Sequence, residues 1–472
     1  MDRRRLPGPS AVLRWAKQSV VRRLRRFIPL ISAVPFLALI VFMLARSDYD
    51  PGTASLPEIC QTPPKMQRLQ QSFPYAVPPE LEKFLLPDHN TSVPVFNSSN
   101  STVPFRQWSV SEVSDLVRLS NAAQVIHNED AFGPVDNATL VIVVQVHSRV
   151  EYLRHLVVSL AQAQGIEDAL VIFSHDLFDA EINELVGRID FCRFAQIFFP
   201  FSIQLHPDEF PGQDPRDCPP LLKRSEAEKL GCRNAQWPDK YGHYRQADLS
   251  QIKHHWWWKA WYLFEGGFKA LEGDLIFLEE DHWVVKDLLH TYRLLKQESK
   301  MHCPECAIIS LGNQVEITQW ISSKHNIGMA FGRKTWNSVK GCAKQFCLFD
   351  DYNWDWSLMY IGMTCTRPNL LTLNLKSSRV FHVGECVTAV CLALTTIFEI
   401  LAIGIHHKKA SCDVGPVLKL VNEQVRQYAN LFPESLKFRR ATYKVKAPKG
   451  NGGWGDYRDR ALCLNLTAGM WT

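Results

Sequence analysis

The sequence predicts an α/β domain with a mixed, mostly parallel central sheet, preceded by an N-terminal transmembrane helix and a stem. Three observations favour this architecture. An uncharged apolar run, Phe27–Ala45, is followed by a stretch rich in Pro, Ser and Asn, and a strand–helix–strand pattern begins at Thr139. With 472 residues, 46% hydrophobic and 21% charged, the chain has the composition of a globular protein that can bury a core.

The N-terminal region predicts a membrane anchor. Residues 1–26 carry nine Lys and Arg against one acidic residue, which is typical of a cytosolic basic tail. Residues 27–45 hold no charge and are long enough, as a helix, to cross a thin bilayer such as an early secretory membrane. A cleaved signal peptide is the alternative, but the apolar run is long for one and no clear cleavage site follows. We therefore expect a single-pass type II protein.

The charge distribution argues against nucleic-acid binding. The formal net charge of +5 is smaller than the basic excess of residues 1–26, so the rest of the chain is near neutral. The chain also has thirteen cysteines, and its five glycosylation sequons all follow the apolar run. Both features fit a lumenal chain with several disulfides and an unpaired thiol. The sequons are at Asn90, Asn97, Asn100, Asn137 and Asn465.

Residues 46–108 read as a stem, because three sequons and many Pro, Ser and Asn occur there without a sustained period. Residues 109–472 read as the folded lumenal domain. At its start, Ser109–Asn128 has helical spacing, with Val113, Val117 and Leu119 as the apolar positions.

A βαβ unit follows. Thr139–Val146 and Ala169–Phe173 predict strands, and Val150–Gln164 predicts the helix between them, which argues for parallel strands joined by a right-handed crossover. Neither a dinucleotide fingerprint nor a P-loop follows the first strand. Polar side chains follow the strands instead, where an Arg can pair with phosphate and a carboxylate with ribose or a base. Capping of the next helix is the alternative for each of Gln145, His147, Arg149, His175 and Asp176.

An acidic cluster ends another predicted strand. The apolar run Leu275–Leu278 leads directly into Glu279, Glu280, Asp281 and His282. Ligands of open α/β sheets bind beyond the carboxyl ends of the strands, so this cluster is placed where a hard cation could meet a substrate. The alternative is a solvated acidic turn.

Aromatic residues accompany two other polar stretches. Because the side chains of Trp256, Trp257 and Trp258 point in different directions, we expect that not all are core and that some form a floor for a sugar or base. Asp350–Trp356 holds three carboxylates and three aromatics, which favours an acid/base role over a surface acidic loop. His382 follows a strand-like segment and is either a metal ligand or a structural histidine.

The cysteines give two local predictions. Cys218 and Cys232 could staple the proline-rich loop region 207–250. Cys303–Cys306 has the spacing of a redox or zinc motif, but a small-loop disulfide is favoured in an oxidising compartment.

Several blocks together resemble one family, the alpha-1,6-mannosyl-glycoprotein 2-beta-N-acetylglucosaminyltransferases, or N-acetylglucosaminyltransferase II. The resemblance runs from about Thr139 to Cys463. Its blocks are Phe199–Leu205, Gly242–Arg245, His254–Lys259, Phe277–His282, Asp350–Trp356 and Asn451–Asp456.

The resemblance implies a Golgi type II enzyme with a GT-A fold that transfers N-acetylglucosamine from UDP-GlcNAc, with inversion, to the α-1,6-linked mannose of an N-glycan on glycoproteins. It implies Asp281 and His382 as ligands of Mn²⁺ and Asp355 as the catalytic base. From the chemistry of such a site we expect Trp354 and Trp356 to frame the acceptor and to keep Asp355 partly desolvated. Donor or acceptor would be held by Gln145, Val146, His147, Ser148, Arg149, Asp176, Gln251, Ile252, Lys253, His254, His255 and Glu280.

The resemblance also implies five disulfides, and the chain departs from the family in two places. An apolar insert, Val387–Ile403, follows Cys386, and we interpret it as an unspliced intron or gene-model artefact. The segment Leu311–His325 is short and lacks an Arg that contacts substrate in the family, so an inactive, membrane-anchored glycan-binding homologue is the alternative function. Whether the chain forms a homo-oligomer stays open. The implied disulfides are Cys218–Cys232, Cys303–Cys306, Cys342–Cys365, Cys347–Cys463 and Cys386–Cys412.

Overall fold

The structure is a computed structural model, and it describes residues 73–86, 108–266, 268, 272–311, 317–375, 377–384, 414–428, 431–441 and 445–470. The predicted anchor at Phe27–Ala45, most of the predicted stem and the insert Val387–Ile403 lie outside these ranges. Within them, no helix combines the length and apolar character that a membrane crossing requires.

The described part of the domain is built on an eight-stranded sheet with the strand order β3-β2-β1-β4-β8-β6-β9-β7, next to a two-stranded ribbon of β5 and β10. The strands are β1 (Val141–Val146), β2 (Leu170–His175), β3 (Arg193–Phe198), β4 (Leu275–Glu279), β5 (His282–Val284), β6 (Ile308–Ser310), β7 (Ile317–Gln319), β8 (Met329–Phe331), β9 (Leu371–Asn374) and β10 (Val380–His382).

The helices cover both faces of this sheet. They are α1 (Val110–Ala123), α2 (Glu129–Phe132), α3 (Val150–Ala161), α4 (Ala180–Gly187), α5 (Arg224–Leu230), α6 (Ala247–Trp261), α7 (Leu288–His302), α8 (Ser322–His325), α9 (Arg333–Lys340), α10 (Ala343–Leu348), α11 (Trp354–Thr364), α12 (Gly415–Arg426) and α13 (Tyr457–Ala468). Short 3-10 turns occur at Pro79–Phe84 and Ile166–Asp168, and a π-helical segment at Tyr262–Gly266.

The predicted βαβ unit and the mixed, mostly parallel sheet are confirmed. Strand β1 pairs in parallel with β2 from Val141↔Leu170 to Val146↔His175, and in parallel with β4 on its other side. Strands β2 and β3 are also parallel, whereas β8 runs antiparallel to β4. The carboxyl ends of β1, β2 and β4 therefore lie side by side at one edge of the sheet.

Alternation along β1 divides the buried apolar residues between two cores. Ile142 and Val144 pack in a core with α3, whereas Val141 and Val143 pack in a second core with α6. Successive side chains of a strand point to opposite faces, so one apolar run supplies both cores. The sheet is thus covered on both sides, as expected for parallel strands.

The prediction for the three adjacent tryptophans is wrong. Trp256, Trp257 and Trp258 are all buried, with at most 1% of their surface exposed. Helix α6 lies between the sheet and helices α10, α11 and α13, so its side chains are covered on the side away from the sheet as well. Trp256 stacks on Trp354 at 4.5 Å between ring centroids, and Trp257 stacks on Phe346 at 4.2 Å.

Part of the predicted stem is packed on the domain. In the turn Pro79–Phe84, Leu81 and Phe84 are buried in the core that contains α3. The Arg154 guanidinium on α3 donates a hydrogen bond to the Phe84 carbonyl at 3.1 Å. On α1, Val113 and Val117 are buried as predicted, but Leu119 is exposed because it lies off their face of the helix.

Four disulfides join described residues, and they are four of the five pairs that the resemblance implies. The fifth, Cys386–Cys412, lies outside the described residues. Cys192 is a buried free thiol. The four bonds are Cys218–Cys232, Cys303–Cys306, Cys342–Cys365 and Cys347–Cys463.

Candidate active site

Glu280 organises the carboxyl edge of the sheet. Its backbone N–H donates to the Gln145 carbonyl at 2.9 Å, which extends the pairing of β1 with β4 by one residue. Its buried carboxylate accepts from the His147 N–H at 2.7 Å and from Arg149 Nε at 2.8 Å. Burial raises the pKa of Glu280, although Arg149 opposes that shift. The carboxylate of Glu280 thereby fixes the loop that follows β1.

Asp281 lies between the guanidinium of Arg149 and the imidazole of His382. Its Oδ2 is 2.9 Å from His382 Nε2 and 2.8 Å from Arg149 Nη1. Burial alone would raise the pKa of Asp281, but His382 and Arg149 override it and hold that pKa well below the ordinary value. The carboxylate is therefore ionised. We call His147, Arg149, Asp176, Glu280, Asp281 and His382 the strand-edge cluster.

The two-stranded ribbon of β5 and β10 explains how Asp281 and His382, about one hundred positions apart, come into contact. Strands β5 and β10 are antiparallel with His382 opposite His282, and the two imidazole rings lie edge to face at 6.0 Å. The chain then returns past Asp281, because the Val383 N–H donates to the Asp281 carbonyl at 2.8 Å. A Cβ at Gly384 would overlap Asp281 Oδ2, so only glycine allows this approach.

The side chains at this edge suit a divalent metal ion. Asp281 Oδ1 is buried and has no hydrogen-bond partner among the described residues, so it is free to act as a ligand. Ligand atoms of Glu279, Asp281 and His282 all lie within 4.8 Å of one another. His382 Nε2, which faces Oδ2, adds a second imidazole. Carboxylate and imidazole together suit first-row divalent ions.

A second chain of polar contacts joins β1, β2 and α6. His147 Nδ1 is 2.6 Å from Asp176 Oδ1, and His255 Nδ1 is 3.5 Å from the other carboxylate oxygen. The charge of Asp176 raises the pKa of His147 to about 9. Lys259, one turn after His255, donates to Gln145 Oε1 at 2.5 Å, and burial lowers its pKa to about 7. These side chains extend the strand-edge cluster along one face of α6.

The structure does not bring every predicted binding residue to this edge. Val146 is buried in the core and Ser148 is exposed in the loop after β1. On α6, the Gln251 amide oxygen accepts from the Ile203 N–H at 2.6 Å. His254 points away from the edge and contacts Asp459 of α13 at 3.1 Å. Two others, half-buried Ile252 and buried Lys253, lie on the same helix.

Asp355 is held at the start of α11 and is 8% exposed. Its Oδ2 accepts from Ser322 Oγ at 2.6 Å and from Asn326 Nδ2 at 3.3 Å, and its Oδ1 accepts from the Trp356 N–H at 3.0 Å. The expectation that Trp354 frames an acceptor is wrong, because Trp354 is buried in the core, whereas Trp356 is half-buried.

The short loop after α8 contacts both the Asp355 carboxylate and the strand that carries His382. Asn326, which donates to Asp355, is followed by Gly328, where a Cβ would lie 2.5 Å from a methyl carbon of Val380. Val380 begins β10, the strand that ends at His382. The loop after α8 thus packs against both the Asp355 carboxylate and the strand of His382.

Sequence reasoning missed Ser322 and Asn326, which belong to no motif. It also missed the contact of Lys259 with Gln145, although Gln251, His255 and Lys259 recur every four residues in α6. That spacing puts the three side chains on one helical face and could have revealed the contact.

Comparison with known proteins identifies relatives over most of this domain. Residues 114–463 match the family model described as N-acetylglucosaminyltransferase II (MGAT2). Three similar relatives carry the name alpha-1,6-mannosyl-glycoprotein 2-beta-N-acetylglucosaminyltransferase. The Mus musculus protein is 43% identical, covering 74% of this chain and 78% of its own. The Homo sapiens protein is 40% identical, and the match covers 79% of this chain and 81% of that protein. The Arabidopsis thaliana protein is 30% identical, and the match covers 72% of this chain and 77% of that protein.

With these relatives, the α/β fold and the carboxylate–imidazole site define a glycosyltransferase. Both the family model and the relatives cover about three quarters of the chain or more. The chain belongs to the N-acetylglucosaminyltransferase II family.

Proposed function

We propose that this chain is an inverting glycosyltransferase that moves N-acetylglucosamine from UDP-GlcNAc in β-1,2 linkage to the α-1,6-linked mannose of an N-glycan core. The observation that carries the proposal is the contact of Asp281 with His382 at 2.9 Å, beside Arg149, where parallel strands end. This is the edge at which α/β sheets bind nucleotides. The family membership and the names of the relatives support the same reaction.

The proposed donor subsite is the strand-edge cluster. Arg149 is a quarter exposed and suits a diphosphate oxygen, whereas the buried Asp176 can accept a hydrogen bond from the nucleoside. We propose Asp281 and His382 as ligands of Mn²⁺, which when bound neutralises the charge of the departing diphosphate. The GT-A arrangement of the fold is part of the same proposal.

We propose Asp355 as the general base. Mannose O2 attacks C1 of the sugar as the bond from C1 to the UDP oxygen breaks, and Asp355 takes the proton of the attacking hydroxyl. A single displacement inverts the configuration at C1 and needs no nucleophile from the enzyme. Ser322 and Asn326 hold the carboxylate in place for this proton transfer. The inactive glycan-binding alternative finds no support in these observations.

The test is a transfer assay on the domain with UDP-GlcNAc and a trimannosyl N-glycan core carrying GlcNAc on the α-1,3 arm. We expect one added residue, in β-1,2 linkage on the α-1,6 arm by NMR, and none after chelation of divalent ions. Addition to another position, or product formed equally well without a divalent ion, would refute the proposal.

We also propose that the protein is a single-pass type II protein of the Golgi membrane. The support is the basic tail followed by the apolar run Phe27–Ala45. Protease treatment of intact vesicles should leave the domain protected, and complete digestion would contradict this topology.

A further inference from the structure

The segment Asn451–Asp456, one of the blocks shared with the family, packs directly before the helix that carries Asp355. The Gly452 N–H donates to the Asp350 carbonyl at 3.0 Å, and the Trp454 N–H donates to Asp350 Oδ1 at 3.1 Å. Asp351 also forms an isolated parallel β-bridge with Gly452. The C-terminal segment therefore lies against residues 350–353, the entry to α11.

The glycines of this segment permit that close approach. Gly452 and Gly453 have φ of +89° and +81°, which disfavour other residues. A Cβ at Gly453 would lie 2.6 Å from a ring carbon of Tyr352, and one at Gly450 would overlap the Asp350 carbonyl. Contact with residues 350–352 thus explains Gly450 and Gly453, whereas Gly452 and Gly455 pack closely against Pro238 and Asp239.

The carboxylate of Asp351 joins the two segments. Its Oδ1 accepts from the backbone N–H and the side-chain amide of Asn353, both at 2.9 Å. Its Oδ2 accepts from the backbone N–H of Asn451 at 2.8 Å and from Asn451 Nδ2 at 3.0 Å. Asn353 is the residue directly before α11, and Asp355 lies in the first turn of that helix. One buried carboxylate therefore ties the C-terminal segment to the start of the Asp355 helix.

Lys253 of α6 also binds the segment that precedes α11. Its ammonium is buried and donates to the carbonyl of Asp351 at 2.8 Å and to that of Phe349 at 3.2 Å. It also lies 4.2 Å from the centre of the Trp454 ring, a cation–π contact with the C-terminal segment. Lys253 thus contacts both segments that Asp351 joins, and its ammonium is enclosed by protein rather than open to a substrate.

We propose that Lys253, Asp351 and Asn451 form a clamp that positions Asp355, and that they act as positioning residues rather than catalytic ones. This inference rests on the proposed function, in which Asp355 is the base. A general base must lie within hydrogen-bond reach of the proton that it removes, and a shift of about 1 Å can lower a rate about 100-fold. The clamp fixes the backbone two residues before Asp355.

The test exchanges the two members of one hydrogen bond. Asp351→Asn removes an acceptor that faces Asn451, and Asn451→Asp places two carboxylates together. We expect each variant to lower kcat about 10- to 100-fold while KM for UDP-GlcNAc stays unchanged. In the double variant the amide of residue 351 can donate to the carboxylate of residue 451, but it still meets the backbone N–H of residue 451, so kcat should recover only in part, about threefold from the lower single variant. Because Asn451 is exposed, its variants should fold.

Ser250→Ala is the matched control. Ser250 is a buried residue of α6, and its hydroxyl donates to Asp459 at 3.3 Å without contacting residues 349–353. Hydrogen exchange supplies a readout that does not depend on activity. Amides 353–357 should exchange faster in Asp351→Asn than in the wild type, and Ser250→Ala should leave them unchanged.

The outcomes separate this inference from the proposed function. If the wild type transfers no sugar, the proposed function fails, and the exchange of amides 353–357 decides the clamp alone. The clamp is overturned if both single variants lose thermal stability but keep kcat. It is equally overturned if amides 353–357 of Asp351→Asn exchange as in the wild type.

Discussion

Backbone pairing positions the strand-edge cluster, whereas side-chain hydrogen bonds between distant loops position Asp355. Arg149, Glu280 and Asp281 directly follow β1 and β4, whose register puts them side by side. Asp355 instead depends on Ser322, on Asn326 and on the segment before α11. Backbone pairing does not depend on any one side chain, whereas the hydrogen bonds around Asp355 do, so the two regions should respond differently to substitution.

The two regions should therefore affect different steps, one the binding of donor and metal and the other the transfer reaction. Changes in the strand-edge cluster should weaken binding of the donor and metal, whereas changes around Asp355 should lower kcat and leave donor binding intact.

The largest effect is expected at Asp355. Asp355→Asn should lower kcat about 1,000-fold or more, because an amide cannot accept the mannose hydroxyl proton. Calorimetric binding of UDP should match that of the wild type, since Ser322, Asn326 and the Trp356 N–H, which hold the Asp355 carboxylate, are not members of the strand-edge cluster. Turnover at the wild-type rate would remove Asp355 from the chemistry.

Asp281→Asn should weaken Mn²⁺-dependent UDP binding about 100-fold, because an uncharged amide replaces the carboxylate that we propose holds the metal beside His382. This is the opposite pattern to that of Asp355→Asn. Calorimetry at several Mn²⁺ concentrations measures the effect, and wild-type affinity in this variant would show that Asp281 is not a ligand.

Gly384→Ala should have an intermediate effect. The added methyl group overlaps Asp281 Oδ2, so Asp281 must move and UDP affinity should fall about tenfold. Gly187→Ala is the control, because a Cβ there meets nothing within 4 Å. If the two variants bind UDP equally well, the backbone beside Asp281 is not restrictive.

The smallest effect is expected on stability, when the pH is raised until His147 loses its proton. The pKa of His147 is raised from 6.5 to about 9 by Asp176, so the ion pair stabilises the fold fully below about pH 6.5 and is lost as pH rises through about 9. The side chain is half-exposed, so the contribution is about 1 kcal/mol at most. The difference in thermal midpoint between the wild type and His147→Gln should shrink over this range. A constant difference would exclude the ion pair as its source.

The same contrast explains what the sequence could predict. Strands β1, β2 and β4 and the helix α3 follow from short-range periodicity, and residues after a strand end are placed by that strand. Local pattern therefore located Arg149, Asp176, Glu280 and Asp281 at one edge. The meeting of Asp281 with His382 was implied by family resemblance alone, because three-residue strands such as β5 and β10 give no reliable pattern.

The region around Asp355 could not be predicted in the same way. Ser322 at the start of the short helix α8, and Asn326 and Asn451 in loops, make contacts in this region that no spacing in the sequence indicates. The burial of Trp256, Trp257 and Trp258 likewise depends on helices that come much later in the chain. Long-range packing overrode the expectation from local sequence in both cases.

The most direct test is the position of the metal. Diffraction data from crystals soaked with Mn²⁺ and UDP, collected at the manganese absorption edge, should give one anomalous peak within bonding distance of Asp281 and His382. A peak bound by Glu279 and His282 without His382, or no peak beside Asp281, would contradict the assignment.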